Sequence, residues 1–437
     1  MARRMSAEEA AGLFEPKDTF AVPLGPGQPA ALLEALGERD DWEELRIFTA
    51  LLFVFTPLFS HPNVHYLSGF YGPIERVLRD QGANISFAPA DFRRFEPILE
   101  DQPPRVFATA AAPPDADGWC SLSLHAGSTY DEMLRIADDP NRLLIAEVSE
   151  LFPRTPGYEP DYKHALHVDQ IDVLVESDKG PLPLEDPPPG DAERAIAEHA
   201  RHYIPDGATL QTGIGAIPST IAGLLAEGDG GDYGAHSEMF TTGLMHLHEA
   251  GKITNRKGQY DGVSVATFAG GTQELYEWLD ENPDIAFLPV SIVNSPAVIA
   301  RNRRMVTING ALSVDIHGQV IADTINADQF SGIGGHEDFV SGPALSLEAT
   351  SLLCLSSTYA HADKRYSRIV PWFDVGAVIT TPRHQVDVIV TEYGAAELQG
   401  KTVHQRGEAL AAVAHPDYRD ELLAAAERAS HGHAPFQ

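Results

Sequence analysis

The chain has 437 residues, of which 43% are hydrophobic and 22% are charged, and this ordinary globular composition predicts two or three domains. Its 63 acidic and 31 basic side chains give a formal charge of -32, which disfavours nucleic acid and anionic membrane surfaces as partners. An anionic ligand would have to be held locally, by backbone N–H groups, helix N-termini and a few cations.

Signals for export, membrane insertion and cysteine chemistry are weak. Arg3 and Arg4 are followed by acidic residues rather than by an apolar stretch, unlike a signal peptide. The most apolar run, residues 48–59, is shorter than a membrane span and is interpreted as a buried strand and its loop. Cys120 and Cys354 are too few for a disulfide framework or a Cys-rich zinc site, so they are predicted to be buried free thiols. We expect a cytoplasmic protein.

The first half of the chain alternates between strand-like and helix-like segments. The predicted strands are residues 105–112, 142–148 and 171–175, and residues 128–138 are a predicted helix. This alternation favours a mostly parallel sheet covered by helices, and therefore an α/β fold. Residues 176–191 contain five prolines and no hydrophobic periodicity, so we interpret them as an extended linker.

The same alternation continues after the linker and again predicts an α/β fold. The predicted strands are residues 209–215, 262–269 and 285–290. The predicted helices are residues 218–225, 272–279 and 417–429. Three further strands are expected to be antiparallel, with a turn at His317 and Gly318, and they are residues 305–309, 312–316 and 320–324.

The segment TGIGAIPS, residues 212–219, follows a predicted strand and opens a predicted helix. Gly213 and Gly215 would let the backbone approach a phosphate or a thioester closely. Pro218 suits a helix N-terminus, but it stands where the dinucleotide-binding fingerprint needs a third glycine. A tight strand-to-helix turn without any ligand would explain the motif equally well.

Glu238 lies in a second glycine-rich segment, GAHSEMFTTG, residues 234–243. An isolated glutamate in a loop is usually a solvated surface group. Here it follows the strand-to-helix turn, the region where open α/β sheets place their ligands. A carboxylate in such a place can act as a nucleophile and form an acyl-enzyme anhydride or a thioester.

A third glycine-rich segment is SGIGGHEDF, residues 331–339. Its glycines Gly332, Gly334 and Gly335 could present successive N–H groups as an oxyanion cradle, although a plain loop would contain the same residues. Lys364 belongs to a basic cluster that is rare in so acidic a chain. It could contact a phosphate or lie in a solvated loop.

Other familiar motifs fail on their spacing or their neighbours. Residues 393–402 resemble a Walker loop, but five residues separate the two glycines where four are required. His246 and His248 form one His-x-His pair, and His431 and His433 form another. Neither pair has nearby carboxylate or cysteine ligands in sequence, so no metal site is predicted.

Taken together, these segments resemble the acetyl-CoA hydrolase/transferase family, which includes acetate and 4-hydroxybutyrate CoA-transferases. The resemblance begins near Arg142 and covers the end of the first half and most of the second. Several motifs in one order are more specific than any single motif. They are LLIAEVSELFPRTPG, TGIGAIPS, GAHSEMFTTG, EAGKITNRKGQYDG, INGALSVDIHGQV, GIGGHEDFVSGP, SRIVPWFDVGAVITTPRHQVDVIVTEYGAAEL and HPDYRDEL.

The resemblance implies an α/β fold with two open domains of the CoA-transferase type, residues 1–180 and residues 181–437. It implies that Glu238, in the family's H-[ST]-E-M setting, is the nucleophile of a ping-pong reaction between an acyl-CoA and a small carboxylic acid. Coenzyme A is then a substrate, and no separate cofactor and no metal are implied. A homodimer or larger homo-oligomer is also expected.

The resemblance also assigns further site residues. Gly334 and Gly335 fall at the oxyanion of the thioester. His336 stands where many relatives carry another residue, often Gln, and the first 100 residues match poorly. The residues that fall around CoA are Gly213, Gly215, Ala216, Ile217, Pro218, Ser219, Asn309, Gly332 and Lys364.

Three alternatives stay open at this point. An acyl-CoA hydrolase would use the same glutamyl intermediate but let water intercept it, which depends on how dry the pocket is. A CoA- or nucleotide-binding protein without catalysis would retain the glycine-rich loops. A dinucleotide-dependent oxidoreductase is disfavoured by Pro218.

Overall fold

The first part of the chain forms an eight-stranded sheet in the computed structural model, which describes residues 2–430. Every pair of neighbouring strands in this sheet is parallel. Its strands, in spatial order, are Arg3–Met5, Val173–Glu176, Leu143–Val148, Val106–Ala111, Lys17–Ala21, Glu44–Thr49, Val64–Ser68 and Ile85–Phe87. The helices of this part are Ala7–Ala11, Ala30–Gly37, Pro73–Asp80, Phe95–Asp101 and Tyr130–Ala137.

The second part forms a six-stranded sheet in which only the last pair of strands is antiparallel. Its strands, in spatial order, are Gly234–Ala235, Thr209–Thr212, Met305–Gly310, Thr350–Cys354, Val388–Thr391 and Gly394–Glu397. The helices are Asp191–Arg201, Ala216–Glu227, Thr242–Glu249, Gln273–Leu279, Val290–Val293, Pro296–Ile299, His336–Ser341, Val403–Val413 and Arg419–Ser430.

Short ladders and single turns complete the fold. The paired strands are Trp119–Ser121 with Ala165–His167, Met239–Phe240 with Phe268–Ala269, Ser264–Ala266 with Ile285–Phe287, Thr324–Ile325 with Asp328–Gln329, and Thr358–His361 with Lys364–Ser367. Ser313–Asp315 lies between Val320–Ile321 and Ile369–Val370. The 3-10 turns are Gly25–Gly27, Pro57–Ser60, Phe92–Arg94, Pro343–Leu345 and Pro416–Tyr418.

The central strands are buried on both faces, as the parallel arrangement requires. All six residues of Val106–Ala111 are buried, and the helices on either side cover them with separate apolar clusters. The second sheet is covered in the same way, with one cluster around Ile196 and Leu244 and another around Leu353 and Leu410. The α/β fold predicted for both halves is confirmed.

Two predicted arrangements of strands are wrong. The segment 305–309 was expected to pair antiparallel with its sequence neighbours, but Met305–Gly310 pairs in parallel with Thr209–Thr212 and Thr350–Cys354. The predicted strand 262–269 is divided into Ser264–Ala266 and Phe268–Ala269, because its two halves pair with different partners.

The strands of the two sheets do not mix along the chain. The first sheet takes its strands from residues 3–176 and the second from residues 209–397. Loops nevertheless connect the two parts, and the backbone N–H of Phe92 donates to the carbonyl of Gly334 at 2.9 Å. Of the helices in the described residues 2–430, none has the length and apolar composition to cross a membrane.

Candidate active site

A cavity of about 340 Å³ lies where loops from the two parts of the chain meet. The carboxylate-bearing residue Glu238 forms part of its wall. The second part of the chain also contributes the end of Thr209–Thr212 and the glycine-rich loop 332–335. The first part contributes only apolar residues, which are Leu24, Ala50, Leu51, Phe70, Phe92 and Phe95.

The residues before Glu238 fix its position on the second sheet. Ser237 Oγ donates to the Thr212 carbonyl at 3.0 Å, which ties the loop to the end of a central strand. His236 is fully buried, and its Nε2 donates to the Val293 carbonyl at 2.8 Å. Burial lowers the pKa of His236 to about 4, so the imidazole is neutral and serves to hold the loop in place.

Two hydrogen-bond donors converge on the Glu238 carboxylate. Asn294 Nδ2 donates to Oε2 at 2.6 Å, and the backbone N–H of Gly335 also donates to the carboxylate. The pKa of Glu238 is raised to about 8, chiefly by burial and also by the nearby Asp338 carboxylate, while the two donors oppose the shift. The carboxylate is thus a basic oxygen nucleophile once it is ionised.

Asn294 also connects Glu238 to an ion pair formed by the buried Asp338 and the partly exposed Arg93. Its Nδ2 donates to Asp338 Oδ2 at 3.2 Å, and Arg93 Nε donates to Asp338 Oδ1 at 2.6 Å. Arg93 comes from the first part of the chain and also contacts Asp91 at 3.1 Å. Both neighbours of the Asn294 amide group are carboxylates, which orients its NH₂ group towards them.

The loop 332–335 favours glycine at three of its four positions. A Cβ on Gly335 would lie 2.0 Å from Glu238 Oε2 and 2.3 Å from Asn294 Nδ2. Gly334 has φ +52°, which favours glycine, and a Cβ on Gly332 would lie 2.7 Å from the Gly69 carbonyl oxygen. All three glycines line the cavity, as does His336, whose Nε2 lies 2.9 Å from Thr381 Oγ1.

The segment 212–219 extends from the cavity of Glu238 to a second cavity beside it. Gly213 lines the cavity of Glu238, whereas Gly215, Ala216, Ile217 and Pro218 line a neighbouring cavity of about 280 Å³. The two cavities share Ile214, Asn309 and Gly310 on their walls.

Asn309 is held by a reciprocal pair of amide hydrogen bonds. Its Nδ2 donates to Gln211 Oε1 at 3.2 Å, and Gln211 Nε2 donates to Asn309 Oδ1 at 3.3 Å. Both side chains therefore hold a fixed position on the wall between the two cavities.

Two of the predicted CoA residues stand apart from these cavities. Ser219 Oγ donates to the carboxylate of Asp186 in the linker, and Asp186 Oδ1 also accepts from the Gly215 N–H at 2.7 Å. Lys364 lies on the exposed hairpin Thr358–His361/Lys364–Ser367 and does not line either cavity.

Sequence reasoning missed three polar residues of this site. Asn294 stands in VNSPAV, which matches no catalytic motif, and Arg93 lies in the poorly matching first 100 residues. Asp338 lies within SGIGGHEDF, a motif that predicts a role only for its glycines. The three side chains come from segments far apart in the chain and meet only in the folded protein, which leaves no local signal.

Metal ligands do not gather in residues 2–430, where no group of three or more His, Cys, Asp or Glu side chains is placed to hold an ion. His248 of the first His-x-His pair lies with Nε2 2.8 Å from Ser264 Oγ. The second pair, His431 and His433, lies outside the described residues.

A family model and full-length relatives both match this chain, and they agree with the resemblance found in its sequence. Residues 271–426 match the model of the acetyl-CoA hydrolase/transferase C-terminal domain. The 4-hydroxybutyrate coenzyme A transferase of Clostridium kluyveri is 35% identical, over 96% of both chains. The succinyl-CoA:cyclohexane-1-carboxylate CoA transferase of Geobacter metallireducens is 33% identical, over 97% of this chain and 94% of the relative.

A solved structure and a more distant relative complete the comparison. The crystal structure of RipA from Yersinia pestis superposes with a TM-score of 0.87 at 31% identity, covering 98% of this chain and 97% of that chain. An acetyl-CoA hydrolase of Yarrowia lipolytica is 28% identical, over 50% of this chain and 40% of the relative. The two transferases named above are thus more similar to this chain than the hydrolase is, and they match over more of its length.

Proposed function

The chain belongs to the acetyl-CoA hydrolase/transferase family and is a CoA-transferase, and we propose that Glu238 is the nucleophile of its reaction. The observation that carries the proposal is the convergence of Asn294 Nδ2 and the Gly335 N–H on the Glu238 carboxylate. A solvated surface glutamate would not be enclosed by two donors at the wall of a cavity. The substrates are an acyl-CoA and a small carboxylic acid.

The first half-reaction consists of two acyl transfers. A Glu238 carboxylate oxygen attacks the thioester carbonyl carbon, the C–S bond breaks, and CoA leaves as a thiolate while an acyl-glutamyl anhydride forms. The thiolate then attacks the glutamyl carbonyl carbon and expels the acid as a carboxylate. Glu238 now carries CoA as a thioester, and each step exchanges one anion for another without a proton transfer.

The second half-reaction runs the same steps in reverse with another acid. Its carboxylate attacks the glutamyl-CoA carbonyl, thiolate leaves, and the thiolate returns to the acyl carbonyl of the new anhydride. The new acyl-CoA departs and Glu238 is a free carboxylate again. No conventional catalytic triad is needed once Glu238 is ionised, because every attacking and leaving group in the cycle is then an anion.

Asn294 and Gly335 have a direct role in this cycle. Both donate to the carboxylate oxygens of Glu238, one of which becomes the carbonyl oxygen of the anhydride and of the thioester. When the thiolate or the second acid attacks that carbonyl, negative charge develops on this oxygen and the two donors stabilise it. Losing one such donor typically costs ~3–4 kcal/mol of transition-state stabilisation.

The coenzyme reaches Glu238 along the outer cavity in this proposal. Gly215 lines this 280 Å³ cavity, and the shared residues Ile214, Asn309 and Gly310 place it beside the cavity of Glu238. Binding energy from the long CoA moiety then positions the thioester at the carboxylate. The division of the chain near residue 180, a cytoplasmic location and a homo-oligomeric assembly stay predictions.

An acyl-CoA hydrolase is the second candidate, since water could intercept the glutamyl intermediate. The apolar wall contributed by Leu24, Phe70, Phe92 and their neighbours argues against it, because such a wall holds water poorly.

The test compares Glu238→Gln with Glu96→Gln in an exchange assay with acyl-CoA and an acid. Glu96 is a matched control, because burial likewise raises its pKa to about 8 although it does not line the cavity. Glu238→Gln should lose exchange and should no longer gain the mass of CoA when incubated with acyl-CoA alone, while Glu96→Gln keeps both. Normal exchange by Glu238→Gln would refute the nucleophile. Release of free CoA at the same rate with and without an acid would establish the hydrolase instead.

A further inference from the structure

The acid pocket faces a wall without charge. This inference rests on the proposed function, in which the thioester lies at Glu238 with CoA extending past Gly213 and Asn309. The acyl group must then extend away from those residues, towards the first part of the chain. The whole contribution of that part to the cavity is Leu24, Ala50, Leu51, Phe70, Phe92 and Phe95.

These apolar side chains are firmly placed. Phe92 packs edge-on against Phe95 and Phe268, with ring centroids 6.0 Å and 6.1 Å away. Leu51 has φ 48°, which is unusual for a large side chain and is held because Leu51 N donates to the Phe70 carbonyl at 3.0 Å. A polar substituent would therefore find no side chain on this wall that could turn to bind it.

Charge in the cavity is confined to Glu238. Within residues 2–430, the ionisable side chains lining it are Glu238 and His336, and burial lowers the pKa of His336 to about 4, so that it is neutral. Arg93 follows the cavity residue Phe92 in sequence, but it is bound to Asp338 and Asp91 and does not line the cavity. A second carboxylate on the substrate would be desolvated without a counter-ion.

A longer dicarboxylic acid would also lack a counter-ion for its second carboxylate. Beyond Ile333, which both share, lies another cavity of about 670 Å³. Its charged lining consists, within the described residues, of Asp91, Asp101 and Asp323 with the single cation Arg94. A terminal carboxylate that reached this space would meet more negative than positive charge.

We propose that the acid substrates are monocarboxylic acids with an unsubstituted hydrocarbon chain or ring, and that dicarboxylic acids are excluded. The apolar lining predicts an order of kcat/KM among acceptor acids with four carbon atoms. Butyrate should be the best four-carbon acceptor, because its methyl end meets only apolar side chains. 4-Hydroxybutyrate should be weaker by up to about 10²-fold, because an apolar pocket rejects an added hydroxyl only moderately. Succinate should be weaker still, because a buried unpaired carboxylate costs more than a hydroxyl.

The experiment measures kcat/KM of the full chain with acetyl-CoA as donor and butyrate, 4-hydroxybutyrate or succinate as acceptor. Butyrate first, 4-hydroxybutyrate second and succinate last is the expected order. Succinate equal to or better than butyrate would overturn the proposal. Exchange with none of these acids, nor with acetate or benzoate, would instead contradict the proposed function.

A Leu24→Lys variant provides a second, independent test of the proposal. Leu24 is half-buried, so the lysine stem can follow the wall and place an ammonium group in the cavity. The ratio of kcat/KM for succinate to that for butyrate should rise about tenfold or more. An unchanged ratio in a variant that still transfers CoA to butyrate would show that the acid is not bound at this wall, and the proposal would fail.

Discussion

Asp338 is the carboxylate that most directly opposes ionisation of Glu238. It shares the Asn294 amide with Glu238, and its negative charge raises the pKa of Glu238. Because the nucleophile must be ionised, kcat/KM should rise with pH through a value near 8. In Asp338→Asn this acidic limb should move to lower pH, because a neutral amide no longer raises the pKa of Glu238. The measurement is the pH profile of kcat/KM for acyl-CoA.

Asp91 provides the matched control for this substitution. It contacts the same arginine, Arg93, at 3.1 Å, but it is not bonded to Asn294. The acidic limb of Asp91→Asn should therefore stay close to that of the unmodified protein. An unmoved limb in Asp338→Asn would mean that Asp338 serves packing alone.

Gly335 is the position where a single methyl group should stop the reaction. A Cβ would lie 2.0 Å from Glu238 Oε2, so the carboxylate must move away from its donors. For Gly335→Ala we expect kcat to fall about 10²–10³-fold, the usual cost of losing an oxyanion donor. Thermal unfolding should show that the fold is retained.

Gly223→Ala is the control for Gly335→Ala, because its Cβ would meet nothing within 4 Å in the helix Ala216–Glu227. Alanine should raise stability there by ~1 kcal/mol, since glycine is the poorer helix former. Full activity in Gly335→Ala would contradict the assigned position of Glu238.

Local sequence patterns predicted helices and strands. They could not predict which distant strands pair with each other. The helix expected at 128–138 is found as Tyr130–Ala137, because its amphipathic pattern lies within the segment itself. Met305–Gly310 was given the wrong partners, since its neighbours in the sheet are strands some 40 to 100 residues away in the chain. Distance along the chain likewise hid Asn294, which bonds Glu238, and Arg93, which bonds Asp338.

The helix Ala216–Glu227 begins where the sequence places CoA, and an acidic side chain occupies that end. Asp186 of the linker accepts from the Gly215 N–H at 2.7 Å and from Ser219 Oγ. A carboxylate is favoured at the positive end of a helix dipole, as a phosphate would be. In Asp186→Asn the KM for acyl-CoA should fall several-fold with kcat unchanged, as steady-state kinetics would measure.

Asp191→Asn is the control for Asp186, because it removes the same charge from the start of the neighbouring helix Asp191–Arg201. The KM for acyl-CoA should stay constant in that variant. A higher KM in Asp186→Asn would reverse the interpretation and assign Asp186 to ordering the loop.

The formal charge of the whole molecule, -32, opposes the approach of its anionic substrate. Repulsion between like charges slows association, and salt screens it, with a Debye length that falls from ~30 Å at 0.01 M to ~8 Å at 0.15 M. We therefore expect kcat/KM for acyl-CoA to increase with ionic strength over this range. Most enzymes with a basic binding groove would show the opposite trend.

An acyl-pantetheine separates this long-range effect from changes at the active site, because it carries the same thioester without the phosphates. Its kcat/KM should be nearly independent of salt, while that of acyl-CoA rises. Lys364, Arg365 and Arg368 are the basic cluster that would supply a local attraction able to outweigh the net charge. If kcat/KM for acyl-CoA fell as salt was added, such a cluster would control the encounter, and substitution of Lys364 should then abolish the salt dependence.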